Sequence, residues 1–106
     1  MQGSIAFGIG PALTEAVKYD DNGRLLTRDF RTYGLPRPSQ MPEFQLERTV
    51  TPTPINPMGA KGAGDVSNPA VAPAIINAIL DALADKGVRH LNIPATPEKV
   101  WRAMQS

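Results

Sequence analysis

Hydrophobic positions in this chain fall in short periodic runs, separated by proline and glycine. Over residues 3–16, Ile5, Ile9, Ala12, Leu13 and Ala16 recur at helical spacing and predict an amphipathic helix. Gly8 and Gly10 weaken it, and Pro11, which cannot donate to the carbonyl of Phe7, predicts a kink or a helix that begins close to Pro11. Asp21-Asn22-Gly23 is a turn signal between Val17-Lys18-Tyr19 and Leu25-Leu26-Thr27, which reads as a β-hairpin whose second strand extends through 28–33. Phe44, Leu46 and Val50 alternate and predict a third strand over 44–51, before the prolines of TPTPINPMG hold the backbone extended.

The strongest helical pattern covers 69–86. Asn68 is a natural N-cap, Pro69 suits the first position, and Gly87 suits termination, while Ile75, Ile76, Ile79, Leu80 and Leu83 form one stripe. Residues 88–93 predict a short strand, and a last helix follows with Thr96 as cap, Pro97 at its first position and Val100, Trp101 and Met104 on one face. The expected class is therefore α+β: a β-hairpin plus a third strand, one long helix in the C-terminal half and a short terminal helix, all in a single domain over 1–106.

Composition narrows the function. A chain of 106 residues has room for one small core. Eleven Lys and Arg against ten Asp and Glu leave a net charge of +1, which gives no electrostatic reason to expect nucleic acid or an anionic membrane. The absence of cysteine excludes disulfides, thiolate metal sites and iron–sulfur ligation by these residues. No apolar run has the length of a membrane span and MQGSIAFGIG lacks the marks of a signal peptide, so a cytoplasmic location is expected. His90, the single histidine, has no second ligand type to complete a metal set, and no metal ligand is assigned.

The segment NPMGAKGAGDVSNPA, residues 56–70, carries the main chemical question. Its lysine is followed by Gly62 rather than Ser or Thr and preceded by a proline-rich run, so it is not a phosphate-binding P-loop. Gly8 and Gly10 lie in a helical pattern, which excludes a dinucleotide fingerprint. An anion site at the helix start after Asn68 is disfavoured by the carboxylate of Asp65 beside it. From spacing alone, Asp65 is either a charge that complements a helix N-terminus or a functional carboxylate after glycines that let backbone approach a bulky ligand.

Five stretches in order, GIGPALTEAVKYDDNGRLLT, YGLPRPSQMP, TPTPINPMGAKGAGD, PAVAPAIINAILDAL and IPATPEKVW, resemble the C-terminal end of the molybdopterin-binding large subunit of the xanthine dehydrogenase, aldehyde oxidoreductase and carbon monoxide dehydrogenase family. The resemblance runs from about residue 3 to 104. It implies an oxidoreductase that inserts a water-derived oxygen into a C–H bond at a molybdenum–pterin cofactor, with electrons leaving through iron–sulfur and flavin subunits. It further implies that Lys61, Gly62, Ala63 and Gly64 lie at the cofactor and that Asp65 stands where the family's Gly-x-Gly-Glu motif has its catalytic base. Aspartate is one methylene shorter than that glutamate, and the family's subunit is several times longer than this chain. The implied protein is thus a C-terminal fragment or small subunit, inactive and free of cofactor alone, that acts with the remainder of the molybdenum-binding subunit. The alternative is a non-enzymatic orphan or interaction domain that folds alone, as a monomer or a homo-oligomer.

Overall fold

The computed structural model describes residues 1–105. Three α-helices carry the chain: α1 (Gln2–Leu13), α2 (Asn68–Ala82) and α3 (Pro97–Gln105), with 3-10 turns at Pro38–Gln40 and Ala84–Lys86. Among the described residues there is no β-strand, so the expected α+β class is wrong and the fold is helical with long irregular connections.

The failure of the hairpin is instructive. Its turn is present: the Asp20 carboxylate accepts from the amides of Asn22 (2.9 Å) and Arg24 (2.8 Å), and Gly23 N–H donates to the Asp20 carbonyl at 3.0 Å. Leu26 N–H reaches the Lys18 carbonyl at 2.8 Å, but the ladder consists of one Tyr19–Leu25 bridge. Beyond it Asp29 reverses the chain by accepting from the amides of Arg31 and Thr32, both at 3.0 Å, and this ends the second arm before pairing can propagate. A lone two-armed ribbon has no sheet to bury it. The third strand and the 88–93 strand are likewise absent, since proline-flanked segments without a neighbouring strand leave their amides to solvent.

The helices fare better against expectation. α1 begins at Gln2 and retains Pro11 near its end, where few carbonyl–amide bonds remain to be lost. α2 starts at Asn68, one residue before the sequence placed it, with Ser67 as the capping residue, and it ends at Ala82 rather than 86, the remaining turn tightening to 3-10 before Gly87 adopts φ +71°. α3 starts as expected at Pro97, with the Thr96 carbonyl accepting from Val100 N–H at 3.0 Å and Glu98 paired with Arg102 at 2.7 Å.

α1 and α2 pack on each other, and the contact is set by glycine. A methyl group on Gly8 would stand 2.6 Å from the Val71 Cβ and 3.1 Å from the Asn68 carbonyl oxygen, so only hydrogen fits between the backbones. Ser4, 8 % exposed, closes the same seam through a hydrogen bond between its hydroxyl and that of Ser67. At the far end of α1 the orphan carbonyl of Ala12 accepts from Ala95 N–H at 2.7 Å, which ties the segment before α3 to the two-helix unit. Ala12, Ala95 and Leu83 are the only buried hydrophobic residues among those described.

That core is too small to account for the chain. The accessible surface is 8546 Å², whereas a folded monomer of this mass exposes about 5,800 Å². The radius of gyration is 17.7 Å against about 13 Å for a compact domain of this length. Phe30, Val50, Ile55 and Met58 are more than four-fifths exposed. The apolar periodicity is real, but much of it faces outward.

Two outcomes follow from this packing. Gly8→Ala is expected to destabilise the α1–α2 unit by about 1–3 kcal/mol, and Val71→Ala to give no rescue because the clashing atom is its Cβ, as read by thermal or urea unfolding. The three hydrogen bonds that Thr32 and Arg31 give the Asp29 carboxylate, led by those from Thr32, hold its pKa below the ordinary carboxylate value. Their stabilisation of the 29–33 turn is present above the unfolded aspartate pKa and is lost as pH falls through the depressed value. The Thr32 amide resonance should report that transition, and Asp29→Asn should abolish it.

Candidate functional site

The proline-rich run after Thr51 folds into a closed loop. Asn56 closes it with its side chain, whose Nδ2 donates to the Ala60 carbonyl at 2.8 Å while its Oδ1 accepts from Ala60 N–H at 3.0 Å. Gly59 N–H donates to the Asn56 carbonyl at 3.0 Å, and Thr53 N–H to the Gly59 carbonyl at 3.1 Å. Gly59 adopts φ +64°, and a Cβ there would meet the Pro52 Cβ at 2.9 Å, so this glycine is required by the loop's own backbone. Lys61 Nζ donates to Thr51 Oγ1 at 3.0 Å, which staples the loop's two ends together.

Downstream lies the stretch singled out in the sequence. Lys61, Gly62 and Ala63 line one side of an open concavity of about 520 Å³, with Thr51, Met58 and Val66 around them. Gly64 and Asp65 lie beyond it, in the bend that leads into α2, where the Asp65 carbonyl accepts from Asn68 N–H at 3.1 Å. The Asp65 carboxylate is exposed and makes no hydrogen bond or ion pair among the described residues. The structure thus brings Lys61, Gly62 and Ala63 to one surface and sets Asp65 at its margin.

Gly62 and Gly64 differ from Gly59 in a telling way. Neither has positive φ, and a Cβ on either would meet nothing within 4 Å. Nothing within these residues therefore calls for glycine at 62 or 64, and their bare backbone is open to whatever sits against the loop. The residues that shape the platform, Asn56 and Thr51, were not singled out from the sequence; the Asn56-Pro57 pair is a turn signal that would have found the first.

His90 pairs with Asn92 Oδ1 at 2.8 Å, and no group of three His, Asp or Glu able to hold a metal exists among the described residues. No helix is long and apolar enough to cross a membrane.

Comparison with known proteins gives these features a context. The family description "Molybdopterin cofactor-binding domain" matches residues 1–42, which cover α1 and the irregular connection after it as far as Pro42. The chain is 32 % identical to the carbon monoxide dehydrogenase large chain of Hydrogenophaga pseudoflava over 99 % of its own length and 13 % of that protein. It is 37 % identical to the nicotine 6-hydroxylase large subunit of Paenarthrobacter nicotinovorans, over 97 % of this chain and 13 % of the relative. Among solved structures, quinoline 2-oxidoreductase from Pseudomonas putida 86 superposes with a TM-score of 0.90 at 36 % identity, over 99 % of this chain and 13 % of that one.

This chain is related to the molybdopterin-binding large subunits. The resemblance to the xanthine dehydrogenase, aldehyde oxidoreductase and carbon monoxide dehydrogenase family drawn from five sequence motifs therefore holds. The irregular connections are part of that likeness, since the TM-score of 0.90 covers the whole strand-poor chain and not the helices alone. The chain spans about an eighth of the length of these relatives.

The glycines of the loop can be separated by experiment. Gly59→Ala should destabilise the host protein by about 1–2 kcal/mol, the cost of a side chain in the left-handed region. In the cofactor-free protein, Gly62→Ala should leave the unfolding midpoint unchanged, because a Cβ there meets nothing within 4 Å. Parallel urea titrations of the two variants check the contrast.

Proposed function

We propose that this chain forms part of the cofactor-binding region of a molybdenum-dependent hydroxylase, equivalent to the C-terminal part of its large subunit. The observation that carries the proposal is the pairing of full-length similarity to such subunits with a glycine loop whose bare backbone the chain itself does not require. The residues present are compatible with a bulky, polar group: backbone free of side chains at Gly62 and Gly64, a concavity beside them, and a lysine anchored at its edge.

When bound, the molybdenum–pterin group supplies the oxidising centre for insertion of water-derived oxygen into a substrate C–H bond. The chain's own contribution is positional and protonic. The loop closed by Asn56 fixes Lys61 through Thr51, and so sets the height at which Gly62, Ala63 and Gly64 present their amides. Asp65, in the bend before α2, accepts the proton from a hydroxyl brought within about 2.6–3.2 Å of a carboxylate oxygen. A side chain one methylene shorter than glutamate requires the loop to stand closer to the reacting atoms, because a misplacement near 1 Å costs on the order of a hundredfold.

The isolated chain is proposed to be inactive and free of cofactor. Small-molecule sites enclose most of their ligand, and the concavity here is open on one side of a segment that is mostly surface. The working protein requires the remainder of the large-subunit fold as a partner, with iron–sulfur and flavin subunits to carry electrons away.

The test is turnover by the complex purified from its host. Asp65→Asn should lower kcat by about 10²–10⁴-fold, the usual worth of a positioned base, with molybdenum content and unfolding midpoint unchanged. Asp65→Glu should retain turnover within about tenfold of the parent if the loop tolerates the family's longer acid. Full activity in Asp65→Asn would return Asp65 to the role of a helix-end charge.

A further inference from the structure

The strap of residues 33–40 runs past the C-terminal end of α1 and forms with it a concavity of about 640 Å³, whose lining includes Phe30, Arg31, Tyr33, Leu35, Arg37 and Ser39. It shares no residue with the concavity beside Lys61. We infer that it is a docking site for an acidic segment of a separate polypeptide, whose carboxylates meet Arg31 and Arg37 and whose apolar side chains meet Phe30 and Leu35.

Charge is spread unevenly along the chain. Residues 24–37 hold four arginines and one acid, Asp29, whereas the remaining residues have seven basic side chains against nine acidic ones. Neither the Arg31 nor the Arg37 guanidinium has a hydrogen bond or ion pair among the described residues. Two acids that could have neutralised them are engaged elsewhere: the Asp29 carboxylate accepts from the amides of Arg31 and Thr32, and Glu15 is folded against Gly10 and Tyr33. Guanidiniums left without a counter-charge at one concavity attract carboxylates, which they hold with paired N–H donors.

The backbone that carries these arginines is fixed before any ligand arrives. Arg31 N–H donates to the Asp29 carboxylate at 3.0 Å and Arg37 N–H to Gln40 Oε1 at 2.8 Å. Between them the Thr14 hydroxyl donates to the Gly34 carbonyl, and Gly34 lies so close to the Thr14 carbonyl that a Cβ has no room there. Binding therefore orders side chains only, which lowers its entropic cost. Phe30 and Leu35 stand 81 % and 42 % exposed at the same surface. Arginine beside an exposed aromatic ring is the composition of an interface between separate proteins. The interior of a fold is a poorer setting, because a desolvated guanidinium without a counter-charge is strongly destabilising. Nucleic acid also suits the site less well, since the acidic excess outside residues 24–37 repels a long polyanion, whereas a short acidic segment meets the arginines alone.

The test takes the protein as purified from its host and a fluorescein-labelled peptide that alternates Glu with Leu, and reads binding by fluorescence anisotropy. Saturable binding is expected, lost when Gln replaces Glu in the peptide and weakened as salt approaches about 1 M, where the Debye length is about 3 Å. The double variant Arg31→Gln, Arg37→Gln should bind about tenfold to a hundredfold more weakly, the worth of hydrogen bonds to charged groups. Both side chains are exposed, so its unfolding midpoint should match that of the parent. Arg89→Gln, which removes a charge outside the patch, should leave the affinity unchanged. Phe30→Ala should weaken binding with its salt dependence retained. No saturable binding by the native protein overturns the inference, as does an equal loss in Arg89→Gln or an unaltered affinity in Phe30→Ala. Displacement of the peptide by inorganic phosphate or by oligodeoxythymidine at equal or lower concentration also overturns it, in favour of a small-anion or a nucleic-acid site.

Discussion

The approach of α1 to α2 at Gly8 is the contact on which the remaining order depends. With no side chain between them, the two backbones come close enough for the Ser4 and Ser67 hydroxyls to join across the seam. Ser67 is the residue before α2, so the same seam fixes where that helix begins and therefore where the bend holding Asp65 leaves it. At the other end, Ala12 reaches Ala95 and brings the approach to α3 alongside. A chain with three buried hydrophobic side chains among its described residues keeps a defined shape because these few contacts involve backbone atoms or short side chains, whose geometry leaves little freedom.

The helices were legible in the sequence because their signals are local. Pro69 and Pro97 at helix starts, Thr96 as a cap and Gly87 as a terminator act within a turn of their own positions; Pro97 stands where expected, Pro69 is displaced by one position, and Gly87 closes a 3-10 turn after the helix proper has ended at Ala82. Strands are different, since an alternating pattern says only that one face would be buried if a partner strand existed. Phe44, Leu46 and Val50 alternate without a strand to pair with, and Leu46 and Val50 stay exposed. The Asp20–Gly23 turn was read correctly and the ribbon beyond it was not, because Asp29 imposes a competing turn through hydrogen bonds that alternation cannot register. The order of motifs carried the family likeness well, being insensitive to these local errors.

The exposed apolar residues follow from the same physics. Sequence periodicity reports that a face is destined for burial, and in a self-contained domain the burying surface is in the same chain. Here the faces of α1 and α2 are satisfied along the Gly8 seam and left open in an apolar groove beside it. Trp101 and Met104 on α3 remain 60 % and 44 % exposed, although their helix forms as its caps dictate. Local rules formed the elements, and among the described residues their apolar faces are only partly covered.

Asp65 can be weighed in the same terms. A carboxylate helps a helix start when it lies in the first turn or bonds the free amides there, for about 0.3–1 kcal/mol. The first turn of α2 has no acidic residue, and Asp65 precedes it by three positions with its carboxylate bonded to nothing among the described residues. Since the macrodipole's influence falls off within about one turn, the helix gains little from the charge. The backbone carbonyl of Asp65 does accept the Asn68 amide, but any residue's carbonyl would serve. Inside this chain, then, the aspartate side chain has no structural task, just as Gly62 and Gly64 have no steric one. Three features within four residues that the fold does not need are best accounted for by something that the fold must meet.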